Sequence, residues 1–184
     1  MSTSTPYDQL RDELWPKGIR PDIWAILDGA RSPKAYRYAM SSGMQRECLF
    51  AGALPPALEQ AAPYLVQLDL DDTMSRRIIN EGFGESWGIF LKADLSIRTV
   101  RRHLRTILRV HDPKGRYALF RYWDPRVLRA YLPTCMPNEL KDFFGPIEAF
   151  WAEDDIFEER VFRFERQSAK LIQTTIPVVT PTSV

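Results

Sequence analysis

Cysteine and histidine are scarce in this sequence, which has two of each: Cys48, Cys135, His103 and His111. Two cysteines are too few for a disulfide framework or a cysteine-rich zinc site, and neither histidine has a second ligand at a helical or loop spacing. The sequence therefore predicts no metal and no cofactor. The low cysteine content also fits a reducing compartment, so we expect the chain in the cytoplasm.

Long hydrophobic runs are absent as well. No apolar run approaches the roughly 20 residues that a membrane-spanning helix needs. The first residues, MSTSTPYDQLRDEL, lack the basic and apolar segments of a secretory signal. The net charge is only +1, so the molecule has no overall field suited to nonspecific nucleic-acid binding. These absences predict a protein that binds neither a membrane nor nucleic acid.

Short apolar runs with the pattern of strands buried on both faces occur at residues 23–27, 64–68 and 87–91. Helical patterns with start and stop signals lie between them, at residues 33–40 and 73–82. This alternation of strands and helices is typical of an α/β fold. We therefore predict a mixed, partly parallel sheet flanked by helices, with a β-hairpin near residues 108–122.

The length of the chain, 184 residues, suits one domain with a substantial core. We predict an α/β domain over residues 1–150 and a short extension packed on it over residues 151–173. From residue 174 the sequence is rich in Thr, Pro and Val without periodicity. Residues 174–184 are therefore predicted to form a flexible tail.

The stretch from residue 94 to residue 132 carries the most information. Apolar residues recur there at the spacing of one helix face, at Ile97, Val100, Leu104, Ile107 and Leu108. Asp94 is placed to accept hydrogen bonds from the first turn. His103 lies at the border of the apolar face. The pattern predicts a helix with one buried face.

Arginines occupy the other faces of this predicted helix, chiefly Arg98, Arg102, Arg105 and Arg109. Residues 98–129 contain ten Arg or Lys against two Asp, whereas residues 139–159 contain eight acids against one Lys. Such blocks either solvate opposite faces and pair with each other or form a surface for a partner. The composition leaves both interpretations open.

After the helix, Asp112-Pro113-Lys114-Gly115 suits a type I turn between two strands. Asp124-Pro125 is the pattern of an N-cap followed by the first helical residue. Arg126 then stands in the first turn, where the helix dipole disfavours a cation. An ion pair should compensate, either within the chain or with a partner, and Arg121 belongs to the same constellation.

Two other functional interpretations remain. His103 with Asp124 or Asp28 would orient a general base in a small enzyme, but no nucleophile motif such as Gly-x-Ser-x-Gly accompanies them. The arginine helix would grip phosphate in a nucleic-acid-binding module, but no aromatic residues are interleaved along it. A histidine at this border also suits a purely structural role, in which it anchors the helix by hydrogen bonds.

Several pieces of the sequence resemble a family of α/β domains associated with bacterial type VI secretion. These are the effector chaperones or adaptors of the Tap type, first catalogued as a domain of unknown function. The matching pieces come in the family's order: WAILDGA at residues 24–30, APYLV at 62–66, WGIFL at 87–91, RRHLR at 101–105 and LFRYWDPRVL at 119–128. The RRHLR helix followed by FRYWDPRVL is the most specific combination.

This resemblance implies a non-enzymatic cytoplasmic protein that binds the N-terminal region of a secreted effector. It also implies that the protein helps to load the effector onto the valine-glycine repeat spike protein. With the charge clustering, it places partner contacts at Arg98, Arg102, Arg105, Arg109, Arg121, Asp124 and Arg126. His103, Asp28 and Trp87 are expected to be structural members of the motif.

Overall fold

The computed structural model describes residues 4–41, 43–111, 114–154 and 159–178. The helices are α1 (Pro6–Leu14), α2 (Pro33–Ala39), α3 (Pro56–Gln60), α4 (Thr73–Gly82), α5 (Ile97–Thr106), α6 (Pro125–Tyr131) and α7 (Pro137–Phe144), with a 3-10 helix at Leu132–Thr134. The strands are β1 (Ile23–Asp28), β2 (Arg46–Cys48), β3 (Pro63–Leu68), β4 (Gly88–Lys92), β5 (Arg109–His111), β6 (Tyr117–Leu119), β7 (Ala149–Glu153), β8 (Arg160–Gln167) and β9 (Lys170–Pro177). No described helix has the length and apolar character required to cross a membrane.

Seven strands form one sheet in the order β2-β3-β1-β4-β7-β8-β9, and its neighbouring strands pair antiparallel. In the central register, Ile26 lies opposite Leu65 on one side and Ile89 on the other. The prediction of a mixed, partly parallel sheet is therefore wrong. The sequence contains helices between its strands, but the chain returns to the sheet in the opposite direction at each neighbouring position.

The continuous apolar runs are explained by burial on both faces of the sheet. Trp24 and Ile26 on β1 belong to one core cluster, whereas Ile23, Ala25 and Leu27 belong to the other. Helices α5, α6 and α7 supply buried residues to the first cluster, and α1, α2 and α4 supply them to the second. An antiparallel sheet that is covered on both sides has the same apolar runs as a parallel sheet. The apolar runs therefore could not distinguish parallel from antiparallel strands.

The last three strands extend the same sheet beyond the predicted domain boundary at residue 150. β7 crosses that boundary and pairs with β4, while β8 pairs with β7. β9 pairs with β8 along its whole length and includes residues 174–177, which were predicted to belong to the tail. Residues 179–184 of that predicted tail lie outside the described residues.

Strands β5 and β6 form a separate two-stranded antiparallel sheet within the range of the predicted hairpin. Arg109 lies opposite Leu119, and the N–H of Phe120 donates to the carbonyl of Leu108 at 2.8 Å. The first two positions of the predicted turn, Asp112 and Pro113, lie outside the described residues. This small sheet follows α5 directly along the chain.

The N-cap of helix α5 lies two residues after the predicted cap, Asp94. Ser96 is the N-cap, and its side chain accepts a hydrogen bond from the N–H of Thr99. Asp94 instead accepts a hydrogen bond from the N–H of Asp22 at 2.8 Å, which ties the start of β1 to the segment before the helix. Val100 and Leu104 are fully buried, and burial of each side chain contributes about 1.5–3 kcal/mol. The packed face of α5 therefore fixes the direction in which its arginines point.

Candidate functional site

A groove of about 930 Å³ lies between α5, the segment 47–58 and the β5–β6 hairpin. Its cationic lining consists of Arg98, Arg101, Arg102, Arg105 and Arg109. Its apolar lining consists of Leu49, Phe50, Leu54, Leu58, Leu108 and Leu119. We call this feature the arginine groove. It brings together four of the seven residues that the sequence placed at a partner-binding surface.

The four predicted arginines of the groove have no countercharge within the chain as described. Arg98, Arg102 and Arg109 are exposed and Arg105 is half-buried. None of the four forms an ion pair with any residue in the described ranges. Among the described residues, these four arginines therefore do not pair with the acidic block, and their charges remain available to solvent or to a molecule that enters the groove.

Arg101 has a different role in the groove. Its Nε donates to the carbonyl of Cys48 at 2.7 Å, and its Nη2 donates to the carbonyl of Phe50 at 3.4 Å. The same Nε lies 3.5 Å from a carboxylate oxygen of Glu47. Arg101 thus fastens α5 to the opposite wall. This role is not predicted from the sequence, although the position directly after buried Val100 indicates a residue at the edge of the packed face.

The apolar part of the groove is partly open to solvent. Leu49 and Leu108 are buried at its base, whereas Leu58 is 44% exposed and Leu119 is 51% exposed. Helix α3, which carries Leu58, buries none of its residues. An apolar floor beneath a row of unpaired arginines is a surface that can bury apolar side chains and accept negative charge at once.

Arg121 lies outside the groove lining and is engaged within the chain. Its guanidinium donates to the carboxylate of Asp28, a residue that is only 2% exposed. The other carboxylate oxygen of Asp28 accepts from the N–H of Ala30 at 3.0 Å. The sequence left open whether this constellation pairs within the chain or with a partner. Arg121 forms its ion pair within the chain, and this pair joins the end of β1 to the segment before α6.

Asp124 and Arg126 form a second internal pair. Asp124 is the N-cap of α6 and accepts from the backbone N–H of Arg126 at 3.0 Å. The Arg126 guanidinium donates to both carboxylate oxygens, at 2.9 and 2.6 Å. Burial opposes ionisation of Asp124, but the hydrogen bonds from Arg126 outweigh it and hold the pKa of this carboxyl below its usual value. The carboxylate compensates the cation in the first turn.

The lowered pKa of Asp124 predicts a pH-dependent contribution to stability. The carboxylate stabilises the folded state fully above its unfolded pKa of about 4, and this contribution is lost as the pH falls through the lower folded pKa. An Asp124→Asn variant should therefore be less stable than the natural protein at pH 7, and this difference in the free energy of unfolding should narrow once the pH falls below about 4. Urea unfolding of both proteins across this range measures the gap. The exposed Asp142→Asn change is the control, and a gap for Asp124→Asn that is independent of pH would contradict the assignment.

His103 joins α5 to α7. Its Nε2 donates to the backbone carbonyl of Phe143 at 2.8 Å. The ring lies so close to Gly145 that a Cβ there would stand 2.3 Å from the ring carbon Cε1. Asp28 and Asp124, the carboxylates considered as partners of His103 in an enzyme, bind Arg121 and Arg126 instead.

Trp87 belongs to the core cluster on the opposite side of the sheet from α5. Its ring packs edge-on against Tyr38 with centroids 5.6 Å apart. Its carbonyl accepts from the N–H of Asp28 at 2.7 Å. Trp87 therefore holds the start of β4 against the end of β1, which is the point where Asp28 meets Arg121.

Among the residues that the structure describes, no three or more His, Cys, Asp or Glu side chains are grouped so as to hold a metal ion. The side chain of His111 lies outside the described part. Burial raises the pKa of both cysteines, Cys48 and Cys135, so each thiol is held in its neutral form at neutral pH.

A family model described as Domain of unknown function (DUF4123) matches residues 23–142. This range contains β1 through most of α7 and every residue of the arginine groove. No curated protein and no solved structure matches the chain. The family match spans more than half of the 184 residues, and the chain therefore belongs to the DUF4123 family.

Proposed function

We propose that this protein is a non-enzymatic cytoplasmic adaptor that binds a type VI secretion effector and helps to load it onto the valine-glycine repeat spike protein. The observation that carries the proposal is the arginine groove. Four arginines without an internal countercharge flank exposed leucines on one face of the described chain. A surface of this composition is suited to binding another protein.

The positions of the resemblance motifs support the proposal. The RRHLR piece lies on α5, where Leu104 is buried and Arg101, Arg102 and Arg105 line the groove. In the FRYWDPRVL piece, the Tyr122 hydroxyl donates to the carbonyl of Leu104 at 2.9 Å. The buried members of the two motifs thus hold α5 in place, and the exposed members of the first motif form the proposed binding surface.

The two ion pairs within the chain reduce the number of residues that we propose to contact the effector. Arg121 is held by Asp28, and Asp124 caps α6 and binds Arg126. These residues already serve the fold, so their contribution to binding is indirect, through the placement of α6 and the end of β1. The proposal therefore places direct effector contacts on Arg98, Arg102, Arg105 and Arg109.

Co-expression tests the proposed function. The chain carries an affinity tag and is produced with the product of the adjacent open reading frame and with the spike protein. We expect the neighbouring effector to co-purify in a stable complex and the spike protein to join it. An effector that lacks its N-terminal region is the matched control and should not be captured. Absence of a complex with every neighbouring effector would contradict the adaptor function.

A further inference from the structure

We propose that the arginine groove receives an acidic amphipathic helix, which carries apolar side chains on one face and carboxylates beside them. The inference rests on the proposed function in one respect, because the helix is taken to be a segment of the effector. The charge, the floor and the walls of the groove each indicate this occupant.

Charge complementarity identifies the acidic part of the occupant. Arg98, Arg102 and Arg105 follow one another at spacings of four and three residues along α5, and Arg109 continues the row at the start of β5. Glu47 is the carboxylate of the lining, and it lies 3.5 Å from Arg101. Within the described ranges no carboxylate pairs with the row of four arginines, so the row is available to carboxylates of a partner. A guanidinium can bind a carboxylate through two parallel hydrogen bonds.

The floor identifies the apolar part of the occupant. Leu54, Leu58 and Leu119 line the groove and are only partly covered by the chain. The volume of about 930 Å³ is at the upper end of the range for small-molecule pockets, roughly 300–1,000 Å³. It is large enough for several side chains of a partner. Apolar anchors in this floor would remove the exposed leucines from water, which is the larger source of affinity.

The walls favour a helical occupant over a strand. Two walls are the helices α3 and α5, which present side chains and have no backbone edge to pair with an incoming strand. On the edge strand β2, which borders the groove at Glu47, the carbonyl of Cys48 already accepts a hydrogen bond from Arg101. A helix satisfies its own backbone hydrogen bonds and needs only side-chain contacts. Carboxylates at positions i, i+4 and i+7 of such a helix would repeat along its axis at the same intervals as the arginines on α5.

A polynucleotide fits the groove less well than an acidic helix. Binding of single strands relies on aromatic faces on which bases stack. The aromatic residue of the lining is Phe50, and its ring is already packed edge-on against Trp123 with centroids 6.3 Å apart. Phosphates would satisfy the arginines but leave the leucines in water.

Fluorescence anisotropy with a designed peptide tests the inference on the full chain. The probe is a fluorescein-labelled peptide of roughly 14 residues, ~21 Å long as a helix, with Glu at i, i+4 and i+7 and Leu on the adjoining stripe. We expect micromolar binding, weakened at least tenfold, or by about 1.4 kcal/mol, in an Arg102→Glu, Arg105→Glu variant. The control is Arg37→Glu, Arg77→Glu, which reverses two exposed arginines on α2 and α4 across the sheet, and it should bind like the natural protein.

Three further probes test separately the charge, the helical conformation and the chemical class of the occupant. A peptide with Lys in place of Glu, a peptide with a central proline, and a single-stranded DNA of equal length should each bind at least tenfold more weakly. Equal binding of the proline peptide would overturn the helical occupant. Tighter binding of the DNA, equal loss in both arginine variants, or no binding of the acidic peptide would overturn the proposal as a whole.

The test also separates this inference from the proposed function. If the acidic peptide binds as expected and no effector co-purifies, the adaptor function is contradicted while the specificity of the groove stands. If an effector co-purifies equally well with the Arg102→Glu, Arg105→Glu variant, the adaptor function stands and the groove is overturned as its effector site.

Discussion

Replacement of Gly88 by alanine is expected to prevent the protein from folding. A Cβ at this position would lie 1.7 Å from the carbonyl oxygen of Ile26 and 2.9 Å from its carbon. Both atoms belong to the backbone of β1, an interior strand, which is fixed by β3 on its other side. Because neither strand can move away without breaking its pairing, we expect a loss above about 4 kcal/mol, a large part of the stability of an ordinary domain.

Gly52→Ala is the matched control for this change. Gly52 has a φ of +77°, and an added Cβ would meet no atom within 4 Å. Its substitution carries only the cost of a left-handed backbone, about 1–2 kcal/mol. Soluble yield and thermal unfolding should separate the two variants clearly. A Gly88→Ala protein that unfolds within a few degrees of the natural protein would contradict the described register of β1 and β4.

The second large effect is expected for Phe143→Ala on α7. The ring is almost fully buried and packs against Phe120, Tyr122, Tyr131, Phe144 and Phe150, with centroids 5.3–6.4 Å apart. Truncation of a buried phenylalanine costs about 3–5 kcal/mol, since it removes apolar contacts and leaves a cavity. The carbonyl of Phe143 also accepts the hydrogen bond from His103. A less firmly packed α7 should therefore also weaken the packing of α5.

Urea unfolding at neutral pH measures the Phe143→Ala effect directly. Met136→Ala is the control, because Met136 stands just before the same helix and is 66% exposed. It should change the free energy of unfolding by less than about 0.5 kcal/mol. A Phe143→Ala protein as stable as the Met136→Ala protein would contradict the placement of α7 at the centre of the aromatic cluster.

Local signals in the sequence were sufficient for many elements but not for their arrangement. Asp124-Pro125 marks the start of α6 correctly, because capping depends only on neighbouring atoms. The apolar run at β1 marks a strand buried on both faces. Its antiparallel neighbours could not be derived, since burial on both faces produces the same run in either direction. The Ser96 cap was missed because Asp94 offers an equally suitable side chain two residues earlier.

The candidate site was predictable on one side only. The periodicity of α5 places Val100 and Leu104 inward, so Arg98, Arg102 and Arg105 had to face outward together. The opposite wall of the groove comes from residues 47–58, far from α5 along the chain, and no local pattern connects them. For the same reason the partner of Arg121 remained open, because Asp28 is separated from it by 93 positions.

Capture of the co-expressed effector by two charge-reversed variants tests the central claim most directly. The claim is that the arginine groove is the surface through which this DUF4123 protein binds its partner. We predict that the Arg102→Glu, Arg105→Glu variant loses the effector while its melting temperature is unchanged, and that the Arg37→Glu, Arg77→Glu variant retains it. Equal capture of the effector by both variants would contradict the claim.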